Sequence, residues 1–276
     1  MRNPFTFLLL LFSLSSLGQG PQQLVSVPNS AWSSTVKGWL YLPADYQTSA
    51  KQYPVVFFYH GVGEAGTDPM KLLNQGLPQL IANGMRPDNI INPSDGLYYS
   101  FIVLSVQDQY WSPDPAWLPY ELAWLKNNYR IDTNRVYVTG LSAGGASTFG
   151  VAINADNISS LISAAAPMSP AGVSTTDSTS IQKYKIRTWF FCGDHDEMGF
   201  LPSTKNYNAI CNRQYNGSSN LTIYPGGHCC WDSYYDVNWR DASSGLSVWQ
   251  WLLTNAKQLP EPLPIHFKSI RLITKS

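Results

Sequence analysis

Gly140-Leu141-Ser142-Ala143-Gly144-Gly145 follows an apolar run, Arg135-Val136-Tyr137-Val138-Thr139, and precedes a small-residue segment of helical character, Ala146 to Ile153. A serine between two glycines at this spacing, with a strand before it and a helix after it, marks a chain that reverses within a few residues. Such a turn strains the serine backbone and lifts the hydroxyl clear of the C-terminal edge of a sheet. Gly140 and Gly144 lack a Cβ, so the neighbouring strand and helix can approach closely. The helix N-terminus behind the serine offers N–H groups and a positive dipole end to a developing negative charge. Gly-x-Ser-x-Gly alone is also a plain turn that ends a strand; the flanking strand and helix favour an activated serine.

Outward from this turn, strand and helix signals alternate. Val36 to Leu42 reads as an early strand after an extended polar start, and Pro54 to Tyr59 is a continuous apolar run of the kind buried on both faces of a sheet. That run ends in a glycine-rich loop, His60-Gly61-Val62-Gly63-Glu64-Ala65-Gly66. Met70 to Ala82 has helical character, with Gly76 and Pro78 as possible breaks; Tyr99 to Val106 is the next strand, and Asp114 to Tyr129 is amphipathic. Beyond the serine turn, Leu161 to Ala166, Ile186 to Cys192 and Leu221 to Tyr224 read as strands, and Thr204 to Tyr215 and Ser244 to Ala256 as helices. The polar segment Pro167 to Lys185 has little periodicity and reads as a small lid or a surface loop. The alternation predicts an α/β fold: a mostly parallel central sheet with helices on both faces.

An activated serine needs a base and an oriented acid. Of the four histidines, His266 lies near the C-terminus, His60 sits inside the glycine loop as a brace for backbone, and His195 lies in an acidic loop. His228 follows Gly226-Gly227 after the last strand and fits the base, third in the order serine, acid, histidine. Asp194, Asp196 and Glu197 all follow the strand ending at Cys192; the reach needed past the strand end favours Asp196, with Asp194 next. The spacing of Asp194-His195-Asp196-Glu197 matches no metal-binding motif, and the serine chemistry needs no cofactor. Two backbone N–H groups must face the oxyanion. The residue after the serine, Ala143, and the residue after His60-Gly61, Val62, are positioned for it.

Of 276 residues, 44% are hydrophobic and 13% charged, and the formal net charge is zero, which excludes a disordered chain and a nucleic-acid or polybasic membrane-binding surface. A basic start, an apolar core Phe5 to Phe12 and small residues up to Gly18 have the pattern of a secretory signal, assigned to residues 1–20; no other run is apolar enough to span a bilayer. The folded domain is expected over residues 21–258, and Pro260, Pro262 and Pro264 open a stiff tail over 259–276. Export makes the four cysteines candidates for disulfides. A bridge between adjacent Cys229 and Cys230 is disfavoured as strained, so Cys192 and Cys211 are each expected to pair with one of them.

The segments His60-Gly61-Val62-Gly63-Glu64, Gly140 to Gly145, Gly193-Asp194-His195-Asp196 and Gly227-His228-Cys229-Cys230-Trp231 together resemble secreted bacterial α/β-hydrolase esterases of the feruloyl esterase, acetylxylan esterase and polyhydroxybutyrate depolymerase type. The resemblance spans Val36 to Ala256; the double cysteine is not part of the family pattern. It implies the α/β-hydrolase fold, with Ser142 as nucleophile, Asp196 as acid and His228 as base. It also implies an ester substrate, aryl or polysaccharide-linked, with Trp111 and Trp231 in loops at the rim of the site and Tyr110 beside the former. Two other readings use the same residues: a peptidase of the prolyl-oligopeptidase kind, for which the chain offers no room for a gating domain, and a carbohydrate-binding protein on the same scaffold without catalysis.

Overall fold

Tyr53–Tyr59, read as a strand buried on both faces, has every position buried. Alternate side chains face opposite ways along a strand. Val55, Phe57 and Tyr59 accordingly pack into one core cluster, and Val56 and Phe58 into a second on the other face. The computed structural model describes residues 22–30, 34–173 and 178–257. The segment 1–20, read above as a signal, and the tail 259–276 lie outside the described residues.

The chain runs β1 (Gln22–Pro28), β2 (Thr35–Tyr41), β3 (Tyr53–Tyr59), α1 (Gly76–Ala82), β4 (Ile90–Ile91), β5 (Tyr98–Tyr99), β6 (Ile102–Val106), α2 (Leu118–Asn128), β7 (Ile131–Leu141), α3 (Ala143–Ala152), α4 (Asp156–Ser159), β8 (Ala164–Met168), α5 (Thr179–Lys183), β9 (Arg187–Gly193), α6 (Leu201–Gln214), β10 (Ser219–Tyr224), α7 (Trp231–Tyr235) and α8 (Val248–Thr254). The main sheet has eight strands in the order β1-β2-β6-β3-β7-β8-β9-β10. From β6 to β10 every neighbouring pair is parallel; β2 runs against both β1 and β6. Helices α2, α3 and α6 cover one face through Leu118, Leu125, Phe149 and Tyr207. Helices α1, α7 and α8 cover the other through Leu77, Ile81, Tyr235 and Trp249. In this mostly parallel sheet with helices on both faces, the loops after β3, β6, β7, β8, β9 and β10 gather along one edge, where open α/β sheets carry their sites.

Three expectations are refined. The polar start forms an edge strand, β1, paired along its length with β2. The helix expected over Met70 to Ala82 is divided into a 3-10 helix, Pro69–Asn74, and α1. The break is at Gly76, whose φ is +69° and where a Cβ would lie 2.3 Å from Phe58 Cζ, so the chain turns closely over the sheet. The strand expected over Tyr99 to Val106 is interrupted: β5 pairs with β4, the Phe101 N–H donates to Pro87 O, and only β6 enters the main sheet.

The expected cysteine pairing is incorrect. Cys229 is bonded to Cys230, and Cys192 and Cys211 are buried free thiols. Cys211 packs in the core cluster of α2, α3 and α6, on the opposite face of the sheet from α7, which Cys230 caps. The sheet therefore separates it from the double cysteine. Burial pushes both free thiols up to about 11, which leaves them poorly reactive in the folded protein. Denatured without reductant, the protein is expected to expose two titratable thiols at these positions and to show four after reduction. Four thiols before reduction would overturn the assignment.

Glu121 in α2 is wholly buried among apolar groups. Its Oε2 accepts the Tyr59 hydroxyl at 3.3 Å, while Oε1 has no protein partner. Burial raises its pKa from 4.5 to about 8, with the Tyr59 hydrogen bond opposing the shift. Between those two values the folded chain holds a proton that the unfolded chain has released, so this residue makes stability fall as pH rises. The loss approaches roughly 3 kcal/mol near neutral pH. Urea unfolding of Glu121→Gln is expected to show a flatter fall between about pH 5 and about pH 8. Parallel profiles for variant and parent would contradict it.

Candidate active site

Ser142 joins β7 to α3 with φ 55° and ψ −117°, in the sharp turn expected for it. A non-glycine residue at positive φ costs on the order of 1–3 kcal/mol and persists only where its surroundings fix it. Here they do: Ser142 N–H donates to Met168 O at 2.9 Å, and Ser142 O accepts from the N–H groups of Ala146 and Ala171. The glycines explain how α3 can sit so close. A Cβ on Gly144 would lie 1.9 Å from Tyr59 O, one on Gly140 2.4 Å from the same atom, and one on Gly145 2.5 Å from Met168 O.

The structure brings the three predicted side chains together. His228 Nε2 is 2.9 Å from Ser142 Oγ, and His228 Nδ1 is 2.9 Å from Asp196 Oδ2. A carboxylate only accepts, so Nδ1 carries the hydrogen and Nε2 offers a lone pair to the serine hydroxyl. The rings of Phe200 and Trp231 pack edge-to-face with the imidazole, with ring centroids 5.2 and 5.0 Å away. The Asp196 side chain is fully buried; Oδ1 accepts Met198 N–H at 3.0 Å, and the Cys192 thiol approaches Oδ2 at 3.6 Å.

Neighbouring groups in the acidic loop do different work. Asp194 is 40% exposed and joins the two loops, its Oδ1 accepting Gly226 N–H at 3.0 Å and facing His195 Nδ1 at 2.6 Å. The Gly226 N–H, and then His195, hold the Asp194 carboxyl below its usual range. Glu197 Oε2 accepts the His228 N–H at 2.8 Å and so positions the backbone of His228; that N–H lowers the Glu197 pKa. Among the described residues no group of three or more His, Cys, Asp or Glu side chains is placed to hold a metal.

His60 braces backbone, as expected. Its buried ring faces Gly61 O through Nδ1 at 2.7 Å, and Nε2 accepts Asp108 N–H at 2.9 Å. Those partners select the neutral ring with hydrogen on Nδ1, and burial lowers its pKa in keeping with that state. The ring thereby ties the loop after β3 to the loop after β6. Gln107, which sequence reasoning passed over, adds bonds to Glu64 O and Asp68 O. Its only signal was its place directly after β6. Val62 opens a 3-10 helix, Val62–Glu64, and Ala143 opens α3. The first N–H groups of a helix have no acceptor within it, so both positions suit a developing anion.

The two tryptophans part company. Trp111 is 52% exposed beside the still more exposed Tyr110, on a loop held by Asp108 Oδ1, which accepts both their N–H groups. Trp231 does not sit exposed at the rim. It is 6% exposed at the start of α7, its Nε1–H donates to Ser169 Oγ at 3.2 Å, and its ring supports His228 from within. An indole can reach the second core cluster from this short helix, and burying it there gains more than leaving it in water.

The sequence matches no protein-family model and no curated protein. Solved structures share its architecture. A thermostable esterase superposes with a TM-score of 0.53 at 20% identity, covering 85% of this chain and 60% of its own. A ferulic acid esterase from Anaeromyces mucronatus in complex with ferulic acid superposes with a TM-score of 0.57 at 18% identity, covering 79% and 88%. Porphyromonas gingivalis dipeptidyl peptidase 4 superposes with a TM-score of 0.54 at 11% identity, covering 76% of this chain. This chain spans 60% of the thermostable esterase and 32% of the dipeptidyl peptidase. The fold is the α/β-hydrolase fold, as the resemblance implied.

Proposed function

We propose that the protein is a serine hydrolase that cleaves carboxylic esters. The observation that carries this reading is the unbroken chain Ser142 Oγ, His228 Nε2, His228 Nδ1, Asp196 Oδ2, with both links at 2.9 Å and the serine at the head of α3. In the cycle, Ser142 Oγ attacks the ester carbonyl while His228 Nε2 takes its proton. Asp196 holds the ring and stabilises the imidazolium. The tetrahedral oxyanion rests on the N–H groups of Val62 and Ala143. Collapse breaks the ester bond, and His228 returns the proton to the departing alcohol. Water, activated by the same ring, then releases the acid and restores Ser142.

The substrates we propose are aryl esters and esters carried on polysaccharides. Exposed Tyr110 and Trp111 on the loop after β6 support this, because flat aromatic surfaces suit aromatic and sugar rings. We also propose export, on the signal-like segment 1–20 together with a disulfide, a bond of oxidising compartments. The test is turnover of p-nitrophenyl acetate, methyl ferulate, acetylated xylan and a peptidyl amide, with a fluorophosphonate probe to trap Ser142. Ester turnover well above amide turnover, with the probe on Ser142, is the expected result. Comparable amide cleavage would replace the ester reading with a peptidase, and binding of xylan with no turnover and no labelling would replace it with a non-catalytic binder.

A further inference from the structure

Where Trp231 was expected to face the substrate, the loop exposes something else. Cys229 and Cys230 follow the base directly, and both are exposed although joined to each other. Cysteine is ordinarily among the most buried residues. The surrounding loop is held by its polar groups. The His228 N–H donates to Glu197, Cys229 O accepts the Tyr224 hydroxyl at 2.8 Å, and Cys230 O accepts the Ser233 N–H. Asp232 Oδ1 accepts the Gly76 N–H at 2.9 Å, and the Trp231 indole is buried on Ser169. These anchors leave the disulfide facing outward. With His228, Gln75, Trp231 and Asp232 it lines a cleft of about 110 Å³. Cys230 holds a left-handed conformation, φ 70°, that a non-glycine residue adopts rarely.

We propose that the Cys229–Cys230 disulfide is a specificity-determining wall of the active site, an apolar, polarisable surface against which a flat ring of the substrate rests beside His228. This rests on the ester-hydrolase reading above. A disulfide suits the task. It has no hydrogen to donate and no rotor to order, and divalent sulfur packs well against ring edges. Reduced, the same place holds two independent thiols, each a weak donor and free to rotate. The wall therefore exists only in the oxidised protein. A dithiol such as dithiothreitol removes it by giving up two electrons and two protons to form two cysteine thiols, becoming a cyclic disulfide itself. Cys192 and Cys211 are already thiols, so such treatment changes this bond alone among the described cysteines.

The experiment compares the parent, the dithiothreitol-treated parent and the variant Cys229→Ala/Cys230→Gly, in which glycine keeps the left-handed position open. Fluorophosphonate labelling reports the serine and its base; KM and kcat are measured for ethyl acetate, phenyl acetate and methyl benzoate, which place a ring on neither side, the alcohol side or the acyl side. The expected result is a rise in KM of about fivefold, the size of one sulfur–ring contact, for at least one ring-bearing ester. KM for ethyl acetate, kcat and the labelling rate stay within about twofold of the parent. Treatment and substitution should agree, and reoxidation should reverse the former. Unchanged KM for both ring-bearing esters overturns the wall. An equal loss for all three esters and for labelling also overturns it, since the bond would then be acting only by supporting His228. A parent that fails to label overturns the serine-hydrolase reading itself, a result distinct from either.

Discussion

Replacing Ser142 with alanine is expected to lower kcat by about a million-fold while leaving the fold and its stability close to those of the parent. The size follows from the role proposed for the side chain: without Oγ no covalent intermediate could form, and His228 would have no hydroxyl to deprotonate. The tolerance of the fold follows from where the constraint lies. The turn is held by Ser142 N–H on Met168 O and by Ser142 O receiving Ala146 and Ala171, all backbone bonds that alanine keeps. Alanine, however, inherits φ 55°, which a Cβ-bearing residue adopts at similar cost whichever side chain it carries. Circular dichroism and a thermal melt beside the rate measurement make the experiment decisive. A folded variant with activity near that of the parent removes Ser142 from the mechanism.

Asp196→Asn is expected to cost about ten-thousand-fold in kcat near neutral pH, whereas Asp194→Asn should stay within roughly tenfold of the parent. The contrast tests which of two carboxylates, two residues apart, serves the base. In the variant, the amide oxygen is favoured at the Oδ1 position, where the Met198 N–H must be received. That turns the NH₂ group toward His228 Nδ1. The ring is then driven to the tautomer with hydrogen on Nε2, and no lone pair faces Ser142. Asp194, by contrast, bonds Gly226 N–H and His195 from a partly exposed position, and asparagine can still accept from Gly226. If the two variants lose activity equally, the acid has been misassigned.

Much of this organisation is local and therefore written along the chain. The elbow is legible because its glycines answer contacts within one strand–turn–helix unit and with the adjoining β3 and β8. The central strands are legible because a strand buried on both faces must be apolar at nearly every position. The loops that carry Ser142, Asp196 and His228 reach one edge because β7, β8, β9 and β10 run parallel. Less was legible where one residue had two acceptable surroundings. Tyr99 belongs to the small ribbon with β4, yet its apolar, aromatic character is equally that of the main sheet. Gln107 carries no pattern that distinguishes a loop clamp from a surface amide.

The sequence by itself determined the class of architecture and the identity of the strained serine, because backbone stereochemistry and burial periodicity act over a few residues. Tertiary structure decided which cysteines pair and that Trp231 is buried while Trp111 is exposed, and it placed on His228 the carboxylate that the sequence favoured over Asp194. Tyr224 lies opposite Gly193 in the parallel pairing of β10 with β9, so the loops beyond them start level, and that register delivers Asp196 rather than Asp194 to His228. The sheet itself separates Cys211 from Cys229 and Cys230, and the second core cluster takes in Trp231, leaving the disulfide in its place at the surface. Each of these outcomes depends on distances between residues far apart in the chain, which packing fixes and local sequence does not encode.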